Sequence, residues 1–319
     1  MINQNSPEYE KETVILAQID LTTGSIPKTL LRFASPMICG NLLQQLYNVA
    51  DTLIVGRFLG SDALGAVGSS YTLMTFLTSI LLGLCMGSGA LFSVCWGQRD
   101  LARLRRQTHA AFVLIAVCTV VLNAAAFLLL DAMKTLLSVP AEVWPLMRSY
   151  LFVIFFGIGG NSLVPLLFLA AAAVLNIALD LVFVLVCRWG VEGAAAATVL
   201  AQWLSGIGTA VYTLVRCPEL RARREERRIT GSMLRELLSA SVLTCLQQSV
   251  MNLGILMVQG RINSFGPVIM AAFAAAVKID SFAYMPLQDF GNAFSTFIAQ
   301  NYGAQQPERI RRGIRTAVI

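Results

Sequence analysis

The chain of 319 residues is 56% hydrophobic and only 13% charged, with a mean hydropathy of +0.67. Soluble chains carry about 25% charged residues, so half the usual polar coat is missing and an ordinary soluble domain is excluded. The formal net charge is +6, from 24 basic and 18 acidic residues, and every basic residue except Lys11, Lys28, Lys134 and Lys278 is arginine.

Residues 1–32 are polar and carry Glu8, Glu10 and Glu12 with no basic stretch leading into an apolar core. They predict a cytoplasmic segment without a cleavable signal peptide, so that the first span directs insertion. Apolar runs follow at 33–55, 64–95, 108–130, 163–187, 193–215, 237–259 and 268–300. A hydrocarbon core of about 30 Å needs about 20 apolar residues, so the predicted fold class is an all-α polytopic membrane protein. The second and last runs are overlong, and their Gly, Pro and polar residues predict kinks or interfacial extensions.

Arginines cluster between the runs: Arg99, Arg103, Arg105 and Arg106; then Arg216, Arg221, Arg223, Arg224, Arg227, Arg228 and Arg235; then Arg309, Arg311, Arg312 and Arg315. Short basic loops between spans face the cytoplasm. That accounts for the charge without nucleic acid, so the expected surroundings are a lipid bilayer, the cell membrane, with the N-terminus inside. The seven cysteines form no CxxC pair and lie mostly within apolar runs, where they serve as small core residues.

One segment does not fit. The arginine loops at 99–106 and 216–235 need an even number of crossings between them, yet only three full-length runs intervene. The leftover piece, Trp144 to Gly160, is uninterruptedly apolar only from Tyr150 to Ile158, too short to cross. Either it crosses nonetheless, or 150–187 forms one bent or re-entrant element, or residues are missing where Gly157-Ile-Gly-Gly-Asn-Ser162 joins Val164-Pro165. Missing residues fit best, because a half-span ending in lipid strands its backbone polar groups.

The chain also repeats itself. Leu31-Arg32 returns as Leu234-Arg235 and Leu43-Gln44-Gln45 as Leu246-Gln247-Gln248; Gly97 to Arg106 then aligns with Gly303 to Arg312. Both copies end a span on the cytoplasmic side, which describes a parallel repeat about an axis along the membrane normal, a known transporter plan. The predicted organisation is a cytoplasmic segment at 1–32, a transmembrane bundle at 33–215, a basic linker at 216–236, and at 237–319 a partial second bundle of two helices and the start of a third.

Ionisable residues inside spans cost about 2.5–3.5 kcal/mol on insertion scales and are functional candidates by default. Asp51 lies six residues before Arg57, Asp180 eight before Arg188 and Thr198 six after Glu192, which puts all three about 9–12 Å below the outer boundary. Asn176 and Asp180 are four apart and share a helical face. Such a group suits a hard cation, sodium included, or a proton on a buried carboxyl. Neither aspartate has a basic partner nearby in sequence, while Lys278, Asp280 and Asp289 each need a partner of their own or a wet cavity. Pro36 removes a backbone hydrogen bond near the cytoplasmic start of the first span and permits a bend, either a passive kink or a hinge.

With these residues in place the chain resembles the multidrug and toxic compound extrusion (MATE) family, most of all its branch named after a DNA-damage-inducible protein. The likeness rests on Ile26-Pro-Lys and Pro36, on Asn41-Leu-Leu-Gln-Gln-Leu-Tyr-Asn-Val-Ala-Asp-Thr-Leu-Ile-Val-Gly-Arg57, on Asn176-Ile-Ala-Leu-Asp180, on Gly190-Val-Glu-Gly-Ala-Ala-Ala-Ala-Thr198, and on Met285-Pro-Leu-Gln with Ile298-Ala-Gln-Asn-Tyr-Gly303. It implies two six-helix lobes, and export of small organic, often cationic, compounds in exchange for protons or sodium, with no other cofactor. It also implies that Asp51, Asn176, Asp180 and Thr198 form the first lobe's cation site and that Pro36 is a hinge. Against that pattern the first lobe lacks most of its fourth helix, with a further polar site residue, and the second lobe is incomplete.

Other functions are weaker. A lipid-linked oligosaccharide flippase of related architecture would line its cavity with arginines, which the spans almost lack. No HExxH, GxSxG, P-loop or aspartate-rich metal motif points to an enzyme. A non-transporting remnant of an exporter is the remaining alternative. Composition does not distinguish substrates, proton from sodium, or oligomeric states.

Overall fold

The computed structural model describes residues 20–157, 166–216, 226 and 228–318. Ten α-helices occupy them: α1 (Ile26–Phe58), α2 (Ser61–Gly97), α3 (Leu101–Leu128), α4 (Leu130–Leu136), α5 (Trp144–Gly157), α6 (Leu166–Asp180), α7 (Gly190–Arg216), α8 (Gly231–Asn263), α9 (Pro267–Gly303) and α10 (Pro307–Val318). There is no β-strand among the described residues, and the all-α expectation holds. Four helices, α2, α3, α8 and α9, are long and apolar enough to cross a membrane. The outward faces of α3 and α8, with Val117, Val120, Val121, Leu243, Val250 and Val258, are exposed apolar surface suited to lipid.

The internal repeat is visible in helix lengths. α1 and α8 are each 33 residues, and α2 and α9 are each 37. The turn before the second helix of each pair is also the same: Gly60 and Gly266 hold φ of 90° and 92°, a region glycine occupies without steric cost. Pro267 then starts α9 at a position where its missing N–H costs nothing. After Gly97 the chain turns through Arg99, and Asp100 caps α3 by accepting a hydrogen bond from the Arg103 backbone N–H at 2.9 Å.

The two repeats interlock. α2 packs along both α8 and α9, and α1 packs against α9. Close approach is permitted by small residues. A Cβ on Gly97 would lie 2.1 Å from the Gln300 carbonyl oxygen, and one on Gly303 would lie 2.2 Å from the Val94 carbonyl oxygen, a reciprocal contact between equivalent positions. Gly68 and its repeat counterpart Ala274 touch each other, so the pseudo-two-fold axis runs between them.

One buried cluster gathers Leu73, Met147, Leu151, Leu256 and Met270 from α2, α5, α8 and α9. A second gathers Ile54, Val55, Val67, Tyr150, Ile154, Val191 and Ala194 from α1, α2, α5 and α7, and the acidic residues lie beside it. The arginine clusters meet at one end of the bundle. There Arg103 and Gln107 both bond Glu236 at the start of α8, and Arg105 grips Glu226 with bonds of 2.7–3.2 Å.

The unusual segment at 144–187 becomes three pieces. α5 is described over Trp144–Gly157 and α6 from Leu166, up to the edges of the described residues, and a π-helical turn at Leu181–Val186 follows Asp180 directly. Residues 158–165, where the sequence predicts either a re-entrant bend or missing residues, lie outside the described residues, as does most of the 216–225 part of the basic linker.

Candidate functional site: an acidic cluster between α1, α6 and α7

α1 turns Tyr47 and Asp51, one helical turn apart, to its buried side; they are 6% and 7% exposed. α6 contributes Asn176 and Asp180, both fully buried, and packs against α1 and α7. Thr198 comes from α7, whose first turn is held to α5 by the Ser149 hydroxyl donating to the Glu192 carboxylate. The Asn176 amide donates to the Thr198 hydroxyl at 3.3 Å. The four polar residues singled out from sequence therefore come together, and Asp51 and Asp180 lie within electrostatic reach of each other.

The cluster is under-bonded. Asp51 Oδ1, both Asp180 carboxyl oxygens and Asn176 Oδ1 are buried without a hydrogen-bond partner. Burying charge or unpaired polar atoms costs several kcal/mol, and a proton, a cation or a basic neighbour offsets that cost at such a carboxyl. An amide oxygen, carboxylate oxygens and a hydroxyl are ligands for a hard cation. Among the described residues no three His, Cys, Asp or Glu side chains gather as a metal cluster. The π-helical turn starting at Leu181 widens the helix immediately beyond Asp180, and such turns recur at functional sites because they interrupt the regular ladder.

Tyr47 and Tyr150 lie beside the acids. Tyr150 of α5 is within electrostatic reach of Asp51, Asp180, Tyr47 and Tyr71. Nothing in an apolar run marks a tyrosine as a site residue, so only packing reveals them. The expectation that the aspartates lack a basic neighbour is corrected by the fold. Lys278 of α9, 7% exposed, lies within electrostatic reach of Asp51, its Nζ 3.3 Å from the Tyr71 ring centroid. It was legible in one respect, as the only lysine inside an apolar run, but its partner is more than 200 residues away in the chain.

The other polar candidates separate. Asp289 accepts a hydrogen bond from the Asn41 amide at 2.7 Å, and Asp280 is exposed. Pro36 lies within the continuous helix α1, exposed on its outer side. It is 15 residues from Asp51, about 22 Å along the axis, so it is not part of the cluster.

Comparison with known proteins agrees with this architecture. A family model described as MatE matches residues 36–192 and 240–319. The chain is 29% identical over 312 residues to the probable multidrug resistance protein YpnP of Bacillus subtilis, covering 91% of this chain and 68% of that one. It is 26% identical over 311 residues to DNA damage-inducible protein F of Escherichia coli, covering 90% and 66%. In fold it is similar to the outward-facing conformation of a multidrug resistance MATE family transporter of the MOP superfamily, with a TM-score of 0.80 at 21% identity, covering 94% of this chain and 70% of that one.

Proposed function

The chain belongs to the MatE family of multidrug efflux transporters, and from that premise we propose that it is a secondary antiporter whose coupling ion binds at Asp51, Asn176, Asp180 and Thr198. The proposed cargo is a small organic compound, often cationic. The proposed driving ion is a proton or sodium, entering as the cargo leaves the cell. The observation that carries this is the set of buried, unpaired oxygens on Asp51, Asp180 and Asn176, held between α1, α6 and α7.

The physical logic is charge balance. Two carboxyl groups facing each other in an apolar bundle repel, and a proton or sodium ion relieves that repulsion. Cation uptake therefore changes how tightly α1 and α6 pack against each other. An ion that binds the two access states unequally shifts their populations by that difference. The proposed setting is the cell membrane with the N-terminus in the cytoplasm, supported by the gathering of Arg99, Arg103, Arg105 and Arg309 at one end of the bundle. The proposed role of Pro36 is a bend in α1 that follows ion uptake.

In proteoliposomes, Asp51→Asn and Asp180→Asn are each expected to abolish gradient-driven transport of a fluorescent organic cation while leaving the amount of folded protein unchanged. Undiminished transport in both variants would overturn the ion site. Repeating the assay without sodium, and again with the proton gradient collapsed, identifies the coupling ion.

A further inference from the structure

α1 and α9 belong to different repeats and run antiparallel across the seam between them. Two polar rungs connect them. At the cytoplasmic rung the Asn41 amide donates to Asp289 at 2.7 Å. At the outer rung buried Lys278, its Nζ 3.3 Å from the Tyr71 ring centroid, lies within electrostatic reach of Asp51. Asn41 and Asp51 are ten residues apart and Lys278 and Asp289 eleven, about 15 and 16 Å of helix, so the rungs are in register. Asp51, Lys278 and Asp289 are all under 8% exposed.

The sister seam, between α2 and α8, is built differently. The repeat places Thr72 opposite Lys278 and Gly254 opposite Asp51. Thr72 donates to the Gln259 side chain at 3.1 Å, Gln259 donates to Ser69 and Asn263, and Asn263 donates to the Leu137 carbonyl. That seam is neutral and closely hydrogen-bonded. Only the α1–α9 seam carries an ammonium and a carboxylate, and among the described residues the two make no direct ion pair, while Asp51 Oδ1 stays unpartnered.

An ammonium inside a bilayer is costly. Here the face of Tyr71 receives it, an arrangement by which aromatic rings hold organic cations, and an acid lies beyond. We propose that Lys278 is a resident cation of the other repeat's acid site: it competes with the incoming ion for Asp51, and it ties α9 to α1 while the site is empty. This rests on Asp51 being part of the ion site. An ion arriving at Asp51 displaces the ammonium from its counter-charge, so occupancy of one half is felt directly in the other. An organic ammonium compound competes by the same chemistry, since Tyr71 and Asp51 offer it a ring face and a carboxylate.

The test is equilibrium binding of radioactive sodium to the purified chain in detergent at mildly alkaline pH. Lys278→Met keeps the stem and removes the charge, and is expected to bind sodium at least about tenfold more tightly than the parent, a difference of about 1.4 kcal/mol. Lys278→Gln is expected to do the same, and Lys278→Arg to keep the weak parental affinity. Adding Asp51→Asn to Lys278→Met is expected to erase the gain. Sodium affinity unchanged or undetectable in both neutral variants, or a gain that survives Asp51→Asn, overturns the proposal. If that happens while Asp51→Asn still abolishes transport, only the role of Lys278 fails. If Asp51→Asn and Asp180→Asn leave transport intact, the ion site beneath it fails.

Discussion

Asn263 shows what a single polar side chain does in this bundle. It is fully buried at the C-terminal end of α8, donates to the Leu137 carbonyl at 2.9 Å, and accepts from Ser69 and Gln259 at 2.9 and 2.8 Å. Alanine there strands a hydroxyl, an amide and a carbonyl where water cannot replace the partner. Asn263→Ala is expected to cost about 1–2 kcal/mol, read as a lower midpoint of thermal unfolding in detergent. The acid residues illustrate the limit of sequence at the same scale. Asp51 and Asp180 stood out because ionisable groups in apolar runs are rare, and their depth followed from counting residues to the nearest boundary charge. Tyr150 and Tyr71 did not stand out, because a tyrosine in a membrane helix is ordinary until a neighbour gives its ring or hydroxyl something to touch.

At the scale of helices, close crossing of α2 and α9 depends on the absence of side chains. At Gly97 the obstructing atoms are backbone, the Gln300 carbonyl and the Ala304 nitrogen, which cannot rotate aside. Gly97→Val is expected to destabilise the protein by about 1–3 kcal/mol and to reduce the yield of monodisperse material. Gly89→Ala serves as the control, since a Cβ there meets nothing within 4 Å. The pairing of α1 with α8 was legible from the repeated motifs at Leu31-Arg32 and Leu234-Arg235. The short helix α4 and the π-helical turn after Asp180 were not, because neither departs from the local apolar pattern.

Across the whole molecule, the stretch before α1 ties the two repeats together at the arginine-rich end. Leu21 is fully buried among Leu30, Phe33, Phe294 and Phe297. Its N–H donates to the Gln300 side chain at 2.9 Å, and Arg309 donates to the carbonyls of Leu21, Thr23 and Gly24. Arg309→Ala is expected to raise hydrogen exchange of the Leu21 amide by roughly tenfold, from the loss of a charged donor worth about 1.5–3 kcal/mol. Asp20 secures the same stretch through Arg99 at 2.6 Å and through Thr22. Burial pushes its carboxyl up, but the hydrogen bonds from Thr22 and Arg99 outweigh that and hold it below the ordinary 3.8. A depressed carboxyl stabilises above its unfolded value, and that contribution is lost as pH falls through the folded value. Acidification below 3.8 is therefore expected to lower the protection of the Leu21 amide relative to its intrinsic exchange rate in the parent, and Asp20→Asn to flatten that dependence.

The sequence by itself determined the membrane-spanning, all-helical class, the repeat and the aspartates worth examining. The class and the aspartates follow from properties read within about one helix length, apolar run length and charge placement, and the repeat from motifs recurring about 200 residues apart. The tertiary structure alone decided that Asp51 and Asp180 lie within electrostatic reach of each other, that Asn176 bonds Thr198, and that Lys278 of the second repeat lies within electrostatic reach of Asp51 of the first. Those pairings depend on how helices cross, just as α2 meets α8 and α9 where Gly68, Gly87 and Gly97 let backbones approach. Local pattern records which face of a helix is polar, but not which helix will cover it.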